Sequence, residues 1–452
     1  MNASIDKLVS RAIKNGTITR QDYTKHDVRQ GLRNLDGSGV KVILTRIADV
    51  EGYERQDGKL VPIDGKLIYR GYEIKDLVRG FLEEGRFGFE ETTYLLMAGE
   101  LPAQDELRTF SQVLADARNL PHEFVQHIIL PFPGPNIMNK LMTSVTVLYR
   151  LDENPDNISV ENVARQSINL IAKFPTIIAY SWMAKRFKEG TSSLYIHAPN
   201  GSLSTAESFL SMMREDREFT PLEARILDLM LVLHAEHGGG NNSTFTTHTV
   251  ASTDSDTYSV IAAALASLKG HKHGGANAEV LNMVDAIEKE VKPPYKENDV
   301  LGCLIKVLKG EIGDGSGLIY GMGHPVYKIT DPRALIIKEE ARKLAQQAGR
   351  EEEFELYLTI ERLTPEAMRA VKGKYTPTAT NVDFFSGFVY DCMGLPREIY
   401  TPLFAMARIA GWSAHLLEHR VNRRDDKIIR PAAEYEGIAE RSYVPLAERI
   451  VV

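Results

Sequence analysis

Apolar residues recur at spacings of three and four over most of the chain, as in LVRGFLEEGRFGFEETTYLLMAGE, EVLNMVDAIEKEV and RALIIKEEARKLAQQAG. That period gathers them on one face of an α-helix. Residues 38–72 depart from it: short β-branched runs are interrupted by Asp57-Gly58 and Asp64-Gly65, dipeptides that favour hairpin turns. FPGPN (132–136), ENPDN (153–157) and KPPYKEND (292–299) mark breaks between helices. The pattern predicts a mostly α fold with a small β element near the N-terminus. SVIAAALASL, rich in Ala and Ser, is expected to be a tightly packed core helix.

The chain has 452 residues, more than one compact core usually serves, which predicts two or more domains. Hydrophobic residues make up 43% and charged residues 25%, the balance of an ordinary soluble protein. A formal net charge of -7 argues against a nucleic-acid partner, whose phosphates need a basic face. It leaves room for a small anion, because a pocket needs only a few arginines. The two cysteines, Cys303 and Cys392, form no CxxC and offer no disulfide framework, pointing to a reducing compartment. No apolar run reaches the length of a membrane span. MNASIDKLVSRAIKNGTITRQDY lacks the apolar centre of a signal peptide and is a poor match to an organellar transit peptide. These readings predict a cytoplasmic protein.

Five of the twelve histidines (234, 237, 248, 271, 273) crowd one short window. LHAEHGGGNNSTF is expected to carry His234 and His237 on one helix face, the helix running out in Gly238-Gly239-Gly240. His234, beside the apolar run DLMLVL, reads as a structural histidine. His273 in HKHGGANAEV precedes two glycines and a new amphipathic stretch. A histidine at a helix start is disfavoured as a cation by the helix dipole, so a neutral imidazole able to donate one hydrogen bond is expected. In YGMGHPVYKITDPRA, His324 sits between glycine and proline with Arg333 close behind. Glycine admits a ligand close to the main chain and proline fixes φ, so this stretch reads as a rigid mount for the imidazole. Asp383 in TNVDFFSGFVY follows the Pro/Thr-rich turn YTPTAT and precedes two phenylalanines, surroundings that would raise its pKa and make it a base. An N-cap or turn aspartate is the plainer alternative.

His234, Glu236, His237 and His273 supply metal-ligand types, but HAEH is not HExxH. No GxGxxG, GxxxxGK[ST] or GxSxG motif is present, which leaves the common nucleotide-binding and serine-hydrolase readings without support.

Taken together, LIYRGYEIKDL (67–77), HAEHGGGNNSTF, HKHGGANAEV, GMGHPVYKITDPRA, NVDFFSG, ARIAGWSAH and IIRP resemble the citrate synthase family in content and order. The resemblance implies an almost wholly helical fold. A large domain (1–273 and 381–452, with β hairpins near 40–70) would carry a smaller one (274–380) that closes over the site. It implies condensation of acetyl-CoA with oxaloacetate and hydrolysis of the citryl thioester, with no metal or organic cofactor. Asp383 matches the base that deprotonates the acetyl methyl group, and His273 the neutral histidine at the enol oxygen. His324 matches the histidine that polarises the oxaloacetate ketone. His237 and Asn241 match the loop around oxaloacetate, and Arg333 and Arg408 its carboxylate clamps. Arg430 matches an arginine supplied across a homodimer interface. Leu318, Ile319, Tyr320, Gly321 and Gly323 fall in the strip that receives the adenine of CoA, with Lys272 placed to meet its phosphates. Pro325, His271 and the lead-in TPTATNVD depart from the usual family text, all on the CoA side. They leave the acyl-CoA open: a 2-methylcitrate synthase using propionyl-CoA is the alternative. A non-catalytic CoA-binding relative and a metal-dependent hydrolase are more distant ones.

Overall fold

A computed structural model describes residues 3–34, 36–373, 378–425, 427–437 and 440–449. The chain divides into two compact units, Met1–Val42 with Ile429–Val452, and Ile43–Ile428. In the terminal unit, the helices Ala3–Gly16 and Arg20–Lys25 precede a short 3₁₀ turn. Lys25 pairs with Glu436 at 2.8 Å and His26 pairs with the same carboxylate, so the two ends of the chain are tied to one another. The first helix exposes Ile5, Leu8, Val9 and Ile13.

The larger unit is helical apart from one antiparallel sheet in the order β1-β2-β3. β1 (Ala48–Gln56) and β2 (Lys59–Tyr69) are joined at Asp57-Gly58, where φ is 50° and 78°. Both residues are left-handed, as a two-residue turn matching strand twist requires. β3 (Tyr72–Glu73) returns through Arg70-Gly71, with φ 49° and 92°. Asp64-Gly65, expected to be a second hairpin, lies instead inside β2, where the register with β1 shifts between Glu51 and Tyr53. The glycine serves close approach here: a Cβ at Gly65 would strike the Thr330 carbonyl and sit 2.5 Å from the Tyr327 ring.

Ala- and Ser-rich Thr257–Leu268 forms the expected helix, burying Val260, Ile261, Ala264, Leu265 and Leu268. The helix Tyr400–Val421 buries nearly every residue from Pro402 to Leu416, including Trp412 and Arg408. A helix apolar on all sides runs through a core rather than over it, and this one carries its charged Arg408 into the middle. The helix Pro221–His234 packs against it and ends at His234, not at the glycines. The Tyr69 hydroxyl stops it: it lies 3.2 Å from the Val232 carbonyl, 2.8 Å from that of Glu236, and accepts the Glu236 amide at 3.2 Å. The hydroxyl thus donates to one carbonyl and accepts one amide where the chain leaves the helix. His237 lies beyond the helix and shares no helix face with His234.

Candidate active site

His324 lies in an irregular loop between Gly323 and the helix Pro332–Ala348. Its Nδ1 accepts the backbone amides of Val326 at 3.0 Å and Tyr327 at 3.1 Å. Two donors on Nδ1 place the ring proton on Nε2, which makes His324 a fixed hydrogen-bond donor. The Tyr327 ring stacks on it with centroids 4.6 Å apart and planes 25° apart. His237 meets His324 edge to face at 5.2 Å. Burial, then Arg333 and His324, hold His237 well below the usual histidine range, so it is neutral.

Gly321 and Gly323 join this loop to the start of the helix Val382–Cys392. The Gly323 amide donates to the Ala379 carbonyl at 2.7 Å, and the Asn381 amide to Gly321 at 2.9 Å. Gly321 has φ of 77°, and a Cβ there would lie 2.7 Å from Phe384. Asn381 caps the helix, and Asp383 stands in its first turn. Part of the YTPTAT lead-in, residues 375–377, lies outside the described residues. Burial pushes the Asp383 carboxyl up to about 6, against the pull of Arg333 and Arg408, and its Oδ1 has no hydrogen-bond partner among the described residues. A capping aspartate would use that oxygen on an amide; Asn381 does so here, leaving Asp383 for other work.

His273 lies in the turn before the helix Ala276–Glu290, as the sequence predicts. Burial, with Arg408 nearby, holds it down to about 4. Its Nε2 is 3.0 Å from Ser243 Oγ and accepts the Ser243 amide at 3.4 Å, which leaves the proton on Nδ1. Ser243 Oγ in turn accepts from Trp412 Nε1 at 3.1 Å and lies 2.9 Å from Asn241 Oδ1; its single proton goes to His273 Nε2 when that ring carries its own proton on Nδ1. Ser243 was not singled out in the sequence, because its link to His273 spans two loops and no local pattern announces it.

Arg333, 3% exposed, gives Nε and Nη2 to Asp331 at 3.1 and 2.8 Å. Burial opposes its charge, but Asp331 overrides burial and keeps Arg333 a firm cation. Arg408 is fully buried and donates Nε to the His234 carbonyl at 2.7 Å. Its Nη1 and Nη2 have no hydrogen-bond partner among the described residues, and burial lowers its pKa to about 10. A buried guanidinium with an open two-nitrogen edge is suited to a carboxylate. His234 donates Nδ1 to Met230 and packs on Phe404 at 4.6 Å, the structural place its apolar run predicts.

Behind this group Glu236 Oε1 meets His415 Nε2 at 3.0 Å, and His415 Nδ1 meets His248 Nε2 at 3.1 Å, all three buried. Among the described residues no cluster of three His, Cys, Asp or Glu is arranged to hold a metal ion. Lys272 is exposed on its turn, Ile319 is buried, and Tyr320 donates to Asp314 at 2.6 Å. Leu318 and Tyr320 line a cavity of about 480 Å³ whose walls carry Glu279, Glu290 and Asp314 beside Lys289. Those carboxylates repel phosphate, so the cavity is no pyrophosphate site. Arg430 is exposed and belongs to the terminal unit. The structure thus groups His237, Asn241, His273, His324, Arg333, Asp383 and Arg408 in one neighbourhood.

A raised carboxyl, three neutral imidazoles and a buried open guanidinium are a set suited to moving protons on a carboxylate-bearing ligand. The family model "Citrate synthase, C-terminal domain" matches residues 34–432. A citrate synthase of Synechocystis sp. is 36% identical over 92% of this chain and 93% of its own length. A 2-methylcitrate synthase of Corynebacterium glutamicum is 32% identical over 94% of this chain and 99% of its own. In structure, the chain matches citrate synthase from the archaeon Thermoplasma acidophilum, solved as a ternary complex with carboxymethyl coenzyme A and oxaloacetate. The TM-score is 0.73, with 28% identity over 93% of this chain and 99% of that one. The chain belongs to the citrate synthase family.

Proposed function

We propose that the protein condenses acetyl-CoA with oxaloacetate and hydrolyses the citryl-CoA thioester to citrate and CoA. The observation that carries this reading is the matched set of protonation states: a base raised to about 6 beside two imidazoles whose donor nitrogens are fixed. Asp383 takes a proton from the acetyl methyl group while His273 Nδ1–H bonds the thioester oxygen on which negative charge develops. The resulting enol carbon attacks the ketone carbon of oxaloacetate. His324 Nε2–H polarises that ketone and then protonates the alkoxide. Water adds to the thioester carbonyl and CoA leaves as the thiol.

Arg408 and Arg333 hold oxaloacetate carboxylates with His237 and Asn241 beside them, and the 317–323 strip with Lys272 receives CoA. The 274–380 segment closes over the substrates, and Arg430 reaches the site of a second copy in a homodimer. No metal or prosthetic group takes part, and the protein works in the cytoplasm; no helix among the described residues is long and apolar enough to cross a membrane.

A second reading, propionyl-CoA as acyl donor, is favoured by the 2-methylcitrate synthase relative. One methylene changes selectivity by only about 1–3 kcal/mol. Thiol release from acetyl-CoA and from propionyl-CoA, each with oxaloacetate and without added metal, tests both. Faster release with acetyl-CoA is the expected result; preference for propionyl-CoA moves the protein to the second reading, and silence with both overturns the proposal.

A further inference from the structure

Tyr327 touches both imidazoles of the oxaloacetate side, and nothing in the mechanism above uses it. Its amide donates into His324 Nδ1, and its ring lies flat on the His324 ring. Its hydroxyl is 3.3 Å from His237 Nε2 and 3.4 Å from the Lys66 carbonyl of β2. The side chain is fully buried. Burial drives its ionisation far above the ordinary tyrosine value, so it stays a neutral hydroxyl. A hydroxyl has one proton, and a carbonyl can only accept. Both contacts are satisfied together when Tyr327 donates to Lys66 and accepts Nε2–H of His237.

The hairpin is shaped around this residue. A Cβ at Gly52 would lie 2.5 Å from the Val326 carbonyl and 3.2 Å from the Tyr327 Cα. At Gly65 one would collide with the Tyr327 ring, while the Gly65 amide donates to Thr330 Oγ1 at 3.1 Å. The hydroxyl of Thr330 donates to Asp64 at 3.2 Å. Strand and histidine loop are thus in backbone contact on either side of Tyr327.

We infer that Tyr327 is a positioning residue: held by the β1–β2 hairpin, it fixes the plane of the His324 ring, so that His324 meets oxaloacetate as an aimed donor, and keeps the proton of His237 on Nε2, so that His237 stands beside the substrate as a neutral ring of fixed orientation. This rests on the citrate synthase reading and adds to it a residue that acts through its neighbours.

The test uses the full chain labelled with ¹⁵N-histidine, with His237 assigned by a His237→Gln variant. Long-range proton–nitrogen correlation of the wild type is expected to show His237 as the Nε2–H tautomer; the Nδ1–H tautomer or a cation at neutral pH overturns the inference without any variant. Tyr327→Phe keeps the stack and removes the hydroxyl. It is expected to lose the single His237 tautomer and raise KM for oxaloacetate about threefold to tenfold, the worth of one hydrogen bond, with kcat within about twofold. Tyr327→Leu also removes the stack and is expected to lower kcat about tenfold. Unchanged KM and an unchanged His237 pattern in Tyr327→Phe overturn the inference, as does a Tyr327→Leu variant altered only in melting temperature. A wild type that releases no thiol overturns the proposed function instead, and the tautomer measurement still decides for or against Tyr327.

Discussion

Asn381 joins Gly323 to Asp383: its Nδ2 donates to the Gly323 carbonyl at 3.0 Å while its Oδ1 accepts the Asp383 amide at 3.0 Å. One side-chain amide therefore holds the loop of His324, the proposed acid, against the helix of Asp383, the proposed base. Both bonds join neutral groups, each worth about 1 kcal/mol, and their value lies in register more than in stability.

Asp383→Asn is expected to fold and to lose turnover by at least about a hundredfold, the usual contribution of a positioned base. In the wild type, kcat/KM should rise with pH through about 6, as the carboxyl ionises. A folded pKa above the unfolded one means that Asp383 favours the fold below about 4 and loses that contribution as pH rises through about 6. At pH 7.5 the Asn variant should therefore melt no lower than the wild type, read by calorimetry.

Arg408→Leu should separate binding from stability. The guanidinium is buried with two nitrogens lacking hydrogen-bond partners among the described residues, so replacing it with a hydrocarbon relieves a desolvated charge. The expected melting temperature is equal to or above that of the wild type. Oxaloacetate KM is expected to rise about tenfold to a hundredfold through the lost charge-assisted bonds.

Ser243→Ala removes the hydroxyl that meets His273, Trp412 and Asn241. Turnover should fall about tenfold as His273 loses its aim, with about 1–3 kcal/mol of stability lost to the unpaired indole N–H. Stopped-flow thiol release and urea unfolding measure the two effects.

The Glu236–His415 pair predicts acid sensitivity. Burial alone would raise the Glu236 pKa, but the charge and hydrogen bond of His415 bring it below the ordinary value. A depressed folded pKa stabilises above the unfolded value of about 4.5 and is lost as pH falls below it. His415→Ala, leaving a buried carboxylate uncompensated, should cost about 3–5 kcal/mol at neutral pH and flatten the acid limb of the stability curve.

Arg430→Ala and Asp383→Asn should each be nearly inactive alone. Mixed under conditions that exchange subunits, they should regain activity, because a hybrid dimer contains one site with both residues intact. Absence of recovery after exchange is verified by mass spectrometry would contradict a shared site.

Much of this was legible in the sequence because the segments are locally marked. His324 between Gly323 and Pro325, His273 ahead of a helix, and the turn at Asp57-Gly58 announce themselves by neighbours within a few residues. Ser243, Asp331 and Tyr327 escaped because their partners arrive from other segments, or because, as in Asp331-Pro-Arg333, the pairing depends on rotamers that spacing does not reveal. The helix end at His234 was misplaced for the same reason. Gly238-Gly239-Gly240 is a local stop signal, but Tyr69 reaches in from β2 and ends the helix earlier. At Asp64-Gly65 the dipeptide predicts a turn, whereas glycine there makes room for another backbone instead of turning its own.

That crowding at Gly52 and Gly65 carries into how the gene can vary. In a saturation scan scored on growth or turnover, two positions on a short hairpin, with no chemistry of their own, should be as bare of accepted replacements as the imidazoles. Their neighbours on the exposed strand edges, such as Glu54 and Lys59, should accept nearly anything. The imprint of the His324 loop would thus be readable from silent gaps in two paired strands.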